Sequence, residues 1–498
     1  MLQSIDMGRL WELLSYDAGS PLIFSSGLFL FLFAFFSLFY SFTARRVLPR
    51  IIYVTLFSLY FYYKSSGFYF LLLISVATSD YLIGRAIYAS QTPLRRKALV
   101  ALSLAIDLGM LAYFKYTNMF IELVNVIRGG NIQFKDIFLP IGISFFTFQS
   151  LSYIIDIYRH RLRPVRRWID YLFYISFFPQ LVAGPIVRAR DFIPQIYRNP
   201  LNVSRTMFGE GVFLIICGLF KKAVISDFIS INFVDRVFDD PLLYTGLENL
   251  FGVYGYALQI YCDFSGYSDM AIGIALLLGF RFNKNFDSPY KSATITEFWR
   301  RWHISLSSWL KDYLYISLGG NRKGRVRTYV NLMITMVLGG LWHGASLRFV
   351  IWGAIHGTAL AVHKAAMALF PSFKAQGIDM KSPVRRVIGT LVTFHVVCVG
   401  WVFFRADDMK TASDIFSQIF TSFDIAILPQ FVVGYRGIMA LMAVGYALHF
   451  MPDSLEARAK RVVTSMPIVL QAVIISLLIW LVMQIKSGDI QPFIYFQF

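Results

Sequence analysis

Apolar residues run along this chain in blocks of up to about twenty, and short basic clusters separate many of them. A block of that size matches the hydrocarbon thickness that an α-helix must cross. The first covers residues 22–41 and is followed at once by Arg45, Arg46 and Arg50. Others cover 51–63, 67–84, 98–116, 136–157, 169–187, 207–226, 246–262, 268–280, 329–344, 347–370, 387–404, 431–450 and 466–485. Several are too short to cross alone. The pattern therefore predicts an all-α, polytopic membrane protein with roughly eleven to thirteen membrane segments, some of them re-entrant.

Charge orients these segments. Arg85, Arg95, Arg96 and Lys97 form one basic loop, and Arg159, Arg161, Arg163, Arg166 and Arg167 form a stronger one. Basic loops stay in the cytoplasm, which puts the N-terminus outside. Residues 1–21 carry Asp6, Glu12, Asp17 and Arg9, show no cleavable-leader pattern, and read as an interfacial segment. The last span follows Arg458, Lys460 and Arg461, so the tail 487–498 is expected outside as well.

Composition argues for one membrane domain over 22–486 rather than a row of soluble ones. Hydrophobic residues make up 57% and charged residues 15%, which leaves no evenly mixed stretch long enough for a separate globular unit. The net charge of +18 comes from the loop clusters, so it speaks for membrane topology and against nucleic acid. Cys217, Cys262 and Cys398 are far apart in apolar surroundings and have no metal-ligand spacing. No metal is expected, and no phosphate-binding or dinucleotide fingerprint occurs.

Residues 281–328 break the pattern, being long, basic and rich in tryptophan. Thr294 or Thr296 can cap a helix carrying Phe298, Trp299, Trp302, Ile304 and Trp309. Apolar and basic positions interleaved in this way predict an interfacial helix on the cytoplasmic side. Arg300 and Arg301 could there receive a phosphate-bearing carrier.

Seven histidines occur, and an ionisable group at membrane depth is a candidate for function. His343 lies in LGGLWHGAS beside Trp342, among glycines that permit close approach of backbone or substrate. A neutral imidazole there can remove a proton from an incoming hydroxyl, or it can be a hydrogen bond between helices. His303, beside Trp302 in WRRWHISLS, reads as an interfacial anchor or as a residue on a substrate path. His356 and His363 fit core packing; His160, His395 and His449 suggest no role. Asp263 and Asp269, in DFSGYSD, need basic or hydroxyl partners, for which Arg300 and Arg301 are candidates. A transporter would share many of these traits, although no internal symmetry is present.

Several long strings resemble the membrane-bound O-acyltransferases. They are LPIGISFFTFQSLSYIIDIYR, FPQLVAGPIVRARDF, QIYCDFSGYSDMAIGIALLLGF, NFDSPYKSATITEFWRRWHISLSSWLKDYLYISLGGNRKG and GGLWHGASLRFVIWGAIHG, within residues 135–405. The likeness is greatest to the bacterial branch that O-acetylates polysaccharides such as alginate. It implies a ring of tilted helices around a central tunnel in the bacterial inner membrane. It implies catalytic roles for His343 and His303, with Trp342, Trp302, Arg300, Arg301, Asp263 and Asp269 along the substrate path. The donor would be a cytoplasmic thioester, acetyl-CoA or an acyl carrier protein, with no bound cofactor. Besides membrane lipid, the expected partner is an extracytoplasmic SGNH-hydrolase-like acetyltransferase. D-alanyl or longer-chain transfer is the alternative within the family. The tail FIYFQF is similar to a motif on the companion protein of teichoic acid D-alanylation, which implies Tyr495 as an acyl shuttle; the plainer alternative is an aromatic tail anchored at the outer interface.

Overall fold

The computed structural model describes residues 6–198, 203–370 and 382–485, and all their regular structure is helical. Among these residues three helical stretches are long and apolar enough to cross a membrane: Val47–Ala89, Pro93–Arg128 and Pro383–Arg405. Two further pairs qualify when each is taken together across a sharp bend, Leu428–Gly434 with Arg436–Phe450 at 90° and Asp453–Ser465 with Ile468–Val482 at 116°. The protein is thus an all-helical membrane protein, with two sharply bent apolar helix pairs among the described residues.

The described chain divides into two compact units. One holds the residues up to Gly211 together with Ala271–Phe282. Its first apolar helix, Gly27–Thr43, starts where the Ser26 hydroxyl accepts a 3.2 Å hydrogen bond from the Phe29 amide. Phe29, Phe36 and Tyr40 lie on its buried face, and Phe36 meets Phe178 edge to face at 5.8 Å. The next helix, Val47–Ser66, contains Arg50, which the charge pattern placed in a loop. Arg50 is buried instead. It donates to the carbonyls of Ala44 at 2.9 Å, Ile196 at 2.7 Å and Arg198 at 2.9 Å. Three acceptors engage the two terminal nitrogens of a guanidinium that hydrocarbon would otherwise reject, while its Nε makes no hydrogen bond.

Other boundaries shift for local reasons. The 136–157 block is helical only over Ile143–Tyr158, because Pro140 and a left-handed Gly142 (φ 78°) precede it. The 169–187 block gives two short helices, Trp168–Ser176 and Phe178–Leu181, broken around Phe177 and Pro179.

The second unit holds Val212–Met270 and the residues from Asn283 on. Two predicted spans, 246–262 and 268–280, prove to be parts of one continuous helix, Gly246–Leu277. The polar DFSGYSD stretch does not break it, because its acids find partners. Asp263 pairs with Lys222 at 2.5 Å and Asp269 with Lys221 at 2.7 Å. Arg300 and Arg301, the expected partners, are used differently. Arg300 is exposed, and Arg301 donates to Glu297 at 3.0 Å and to the Asp287 carbonyl at 3.1 Å.

Lys221 and Lys222 lie in a wider, π-type turn, Phe220–Ser226, that follows helix Arg205–Leu219. Backbone contact brings them to the acids. A Cβ on Gly218 would stand 2.5 Å from the Gly266 carbonyl, and one on Gly266 would stand 2.8 Å from the Gly218 carbonyl. Only glycine at both positions permits that approach.

Candidate active site

The site is built where two helices meet through glycine. Helix Arg325–His343 ends at His343, and helix Leu347–Leu369 begins four residues later. A Cβ on Gly340 would lie 2.1 Å from the Phe349 carbonyl, and one on Gly353 would lie 2.4 Å from that of Met336. A Cβ on Gly344 would fall 1.9 Å from the Phe349 ring. Gly344 is extended (φ −160°), so its role is space rather than unusual backbone. The helices therefore touch backbone to backbone, and the tight connection leaves His343 facing the residues that follow.

His343 is 3% exposed and has aromatic rings on three sides. Trp342 stands 4.9 Å from it between centroids, Trp352 5.0 Å and Phe404 5.2 Å, with interplanar angles of 78°, 79° and 71°. Phe404 comes from a third helix, Pro383–Arg405. An imidazole in such walls is shielded from water, which strengthens any electrostatic interaction it makes with a reacting group.

His303 reaches the same cluster. Its ring lies 6.2 Å from that of Trp342 at 78°, so Trp342 packs against both histidines. The backbone there is unusual, because His303 is left-handed (φ 43°, ψ 56°) just before helix Ile304–Trp309. Such a conformation costs about 1–2 kcal/mol in a non-glycine residue and persists only where surrounding contacts impose it. Asn285 imposes it here. Its carbonyl accepts from the Ile304 amide at 2.8 Å, and its side-chain oxygen accepts from the Ser305 amide at 3.0 Å. The Asn285 amide in turn donates to Ser268 at 3.1 Å. Burial pushes the His303 imidazole down to about 3, which keeps it neutral at ordinary pH.

The tryptophan-rich stretch packs inward. Of the two possible caps, Thr294 is the one used; its hydroxyl accepts from the Glu297 amide at 3.1 Å, and Glu297 accepts from the Ala293 amide at 2.9 Å. Trp302 and Trp309 are buried, where an interfacial helix would expose them. Trp302 stacks on Phe298 at 5.7 Å and meets Trp401 at 4.9 Å. Trp401 faces Trp352 at 6.1 Å, which joins this stack to the wall of His343.

Of the expected site residues, His343, His303, Trp342 and Trp302 thus meet in one aromatic cluster. Asp263 and Asp269 are held by lysines, while Arg301 braces its own segment. Tyr495 lies outside the described residues. Sequence reasoning missed Trp352, Phe404 and Asn285, whose side chains are unremarkable until the fold brings them in. It also passed over Lys221 and Lys222, although paired cations inside an apolar block are a signal in themselves. Among the described residues no three His, Cys, Asp or Glu side chains gather as metal ligands.

Residues 166–400 match the family model of the membrane-bound O-acyltransferases. A probable alginate O-acetylase of Pseudomonas syringae is 39% identical over 436 residues, covering 86% of this chain and 80% of that protein. A peptidoglycan O-acetyltransferase of Helicobacter pylori is 35% identical over 421 residues, 78% of each chain. A teichoic acid D-alanyltransferase of Bacillus subtilis is 26% identical over 274 residues, 53% of this chain and 68% of that one.

Proposed function

Because the chain belongs to the membrane-bound O-acyltransferase family, we propose that it is the membrane enzyme of a glycan O-acetylation system. In this reading an acetyl group leaves a cytoplasmic thioester, on coenzyme A or on an acyl carrier protein. It ends on a hydroxyl of an extracytoplasmic polysaccharide or cell-wall glycan, at the bacterial inner membrane. An extracytoplasmic SGNH-hydrolase-like acetyltransferase completes the transfer.

The observation that carries this reading is His343 in its aromatic walls, with His303 beyond Trp342. His343 acts as general base on the attacking hydroxyl. The oxygen forms a bond to the thioester carbonyl carbon, the carbon–sulfur bond breaks, and the proton passes through His343 to the departing thiolate. His303, neutral and rigidly held, polarises or positions one reactant. The first hydroxyl to react is that of Tyr495 or of the acceptor itself; a phenol, with a pKa near 10, needs a base at neutral pH.

Acetyl is favoured over D-alanyl because the acetylase and acetyltransferase relatives match more of the chain, at higher identity, than the D-alanyltransferase. The test is His343→Gln in cells whose chromosomal copy is deleted, with glycan ester content read by mass spectrometry. Loss of acetyl ester with normal protein level is the expected result. Full acetylation by that variant would sink the assignment, and an alanyl ester lost in place of acetyl would move the enzyme to the other branch.

A further inference from the structure

We propose that the groove between helices Leu347–Leu369 and Pro383–Arg405 holds an acyl chain of an anionic glycerophospholipid, whose phosphate meets Arg385. The groove has a volume of about 1050 Å³. Small side chains hollow it out: Ala354, Thr358 and Ala359 on one helix, Gly389 and Thr393 on the other. Ile351, Ile355 and Val396 supply apolar lining towards the opposite end from Arg385 and His363. The walls suit a hydrocarbon chain and offer it almost nothing to hydrogen-bond.

Polar groups collect at one end. His363 is already engaged, its Nδ1 lying 2.8 Å from the Thr296 hydroxyl. Arg386 is engaged too, donating to Glu297 at 3.2 Å and to the Lys291 carbonyl at 3.3 Å. Arg385, one residue away, is exposed at the mouth and has no acidic partner among the described residues. Among the described residues no acid lines the groove. A guanidinium in that position pairs with a phosphate through two parallel hydrogen bonds. The unbalanced charge favours a headgroup with net negative charge over phosphocholine, whose own cation would face the arginine.

Charge and lining, rather than size, select the occupant: one exposed guanidinium beside an otherwise apolar groove matches a single anionic headgroup with its chain. A cavity at the upper end of the small-ligand range takes a lipid chain without rearrangement.

Native mass spectrometry of the detergent-purified full chain tests this, using phosphatidylglycerol and phosphatidylcholine with identical chains. Phosphatidylglycerol should be retained at least fivefold more than phosphatidylcholine, and Arg385→Ala should remove that preference. Ala359→Trp, which fills the groove, should lower retention of both lipids. Should that variant fail to fold, Thr393→Trp fills the groove from the opposite wall. Equal retention of the two lipids by the wild-type chain would overturn the proposal. So would unchanged retention in a folded filled variant, or photo-crosslinking from position 359 to a protein segment rather than to lipid. None of these readouts depends on acyl transfer.

Discussion

The imidazole of His343 meets the indole of Trp352 edge to face, with 5.0 Å between ring centroids and 79° between planes. Trp352 does not reach His343 from its own helix. It comes from the next one, held there by the glycine contacts of Gly340 and Gly353. A general base contributes about 10²–10⁴-fold to rate, so His343→Gln should lower kcat by that range and leave the fold intact. Trp352→Leu should cost less, about tenfold, because the base remains while its wall is gone. Turnover with a thioester donor checks both, and equal losses in the two variants would contradict the separate roles.

The glycine contact itself is a second prediction. Gly340→Ala forces a methyl group to within 2.1 Å of a backbone carbonyl that cannot turn aside. The two helices must separate, and destabilisation of several kcal/mol is expected. Thermal unfolding in detergent measures this. Gly437→Ala, which meets nothing within 4 Å, is the matched control and should unfold at the wild-type temperature or slightly above.

Lys222 sits between two carboxylates, 2.5 Å from Asp263 and 2.8 Å from Asp227, with its side chain only 4% exposed. Lys222→Met would leave both acids without their shared cation, a loss of about 3–5 kcal/mol for a buried pair. Lys221→Met should cost less, since Lys221 and Asp269 are more exposed. The double variant Lys222→Met with Asp263→Asn should recover part of the loss, and a strictly additive result would argue against the pairing.

His303 predicts a pH dependence. Its folded value, pushed down to about 3 by burial, lies below the unfolded value near 6.5. Between those limits the unfolded chain binds the extra proton, so acid favours unfolding and stability rises with pH. Between pH 7.5 and pH 5 this one group should remove about 2 kcal/mol. His303→Asn should remove that contribution. Unfolding midpoints at the two pH values measure the difference, and an unchanged gap in the variant would mean that folding does not alter the proton affinity of His303.

Much of this architecture was legible from residue order. Blocks of apolar residues mark helices because no other element satisfies its own backbone in lipid. His343 and His303 stood out because histidine is costly there and their flanking tryptophans and glycines are distinctive. Other features were hidden for a common reason. Hydropathy cannot separate a residue that faces lipid from one that faces protein, so Trp302 and Trp309 were read as interfacial when they are packed inside. The charge pattern counts arginines without naming their partners, so Arg50 was assigned to a loop. The single helix Gly246–Leu277 was split in two because Asp263 and Asp269 look like breaks until Lys222 and Lys221, forty to fifty residues earlier, are brought against them.

Arg50 also bears on the order of assembly. Two of its three carbonyl partners, Ile196 and Arg198, lie nearly 150 residues further along the chain. A ribosome feeding this protein into a bilayer releases the guanidinium long before its acceptors exist. During that interval the early helices must keep the charge at the water boundary, since hydrocarbon would not accept it unpaired. The final seating of helix Val47–Ser66 therefore waits for the segment that carries Ile196 and Arg198. A chain truncated before Ile196 should remain in a shallow, protease-accessible state, which makes one buried arginine a checkpoint in biogenesis.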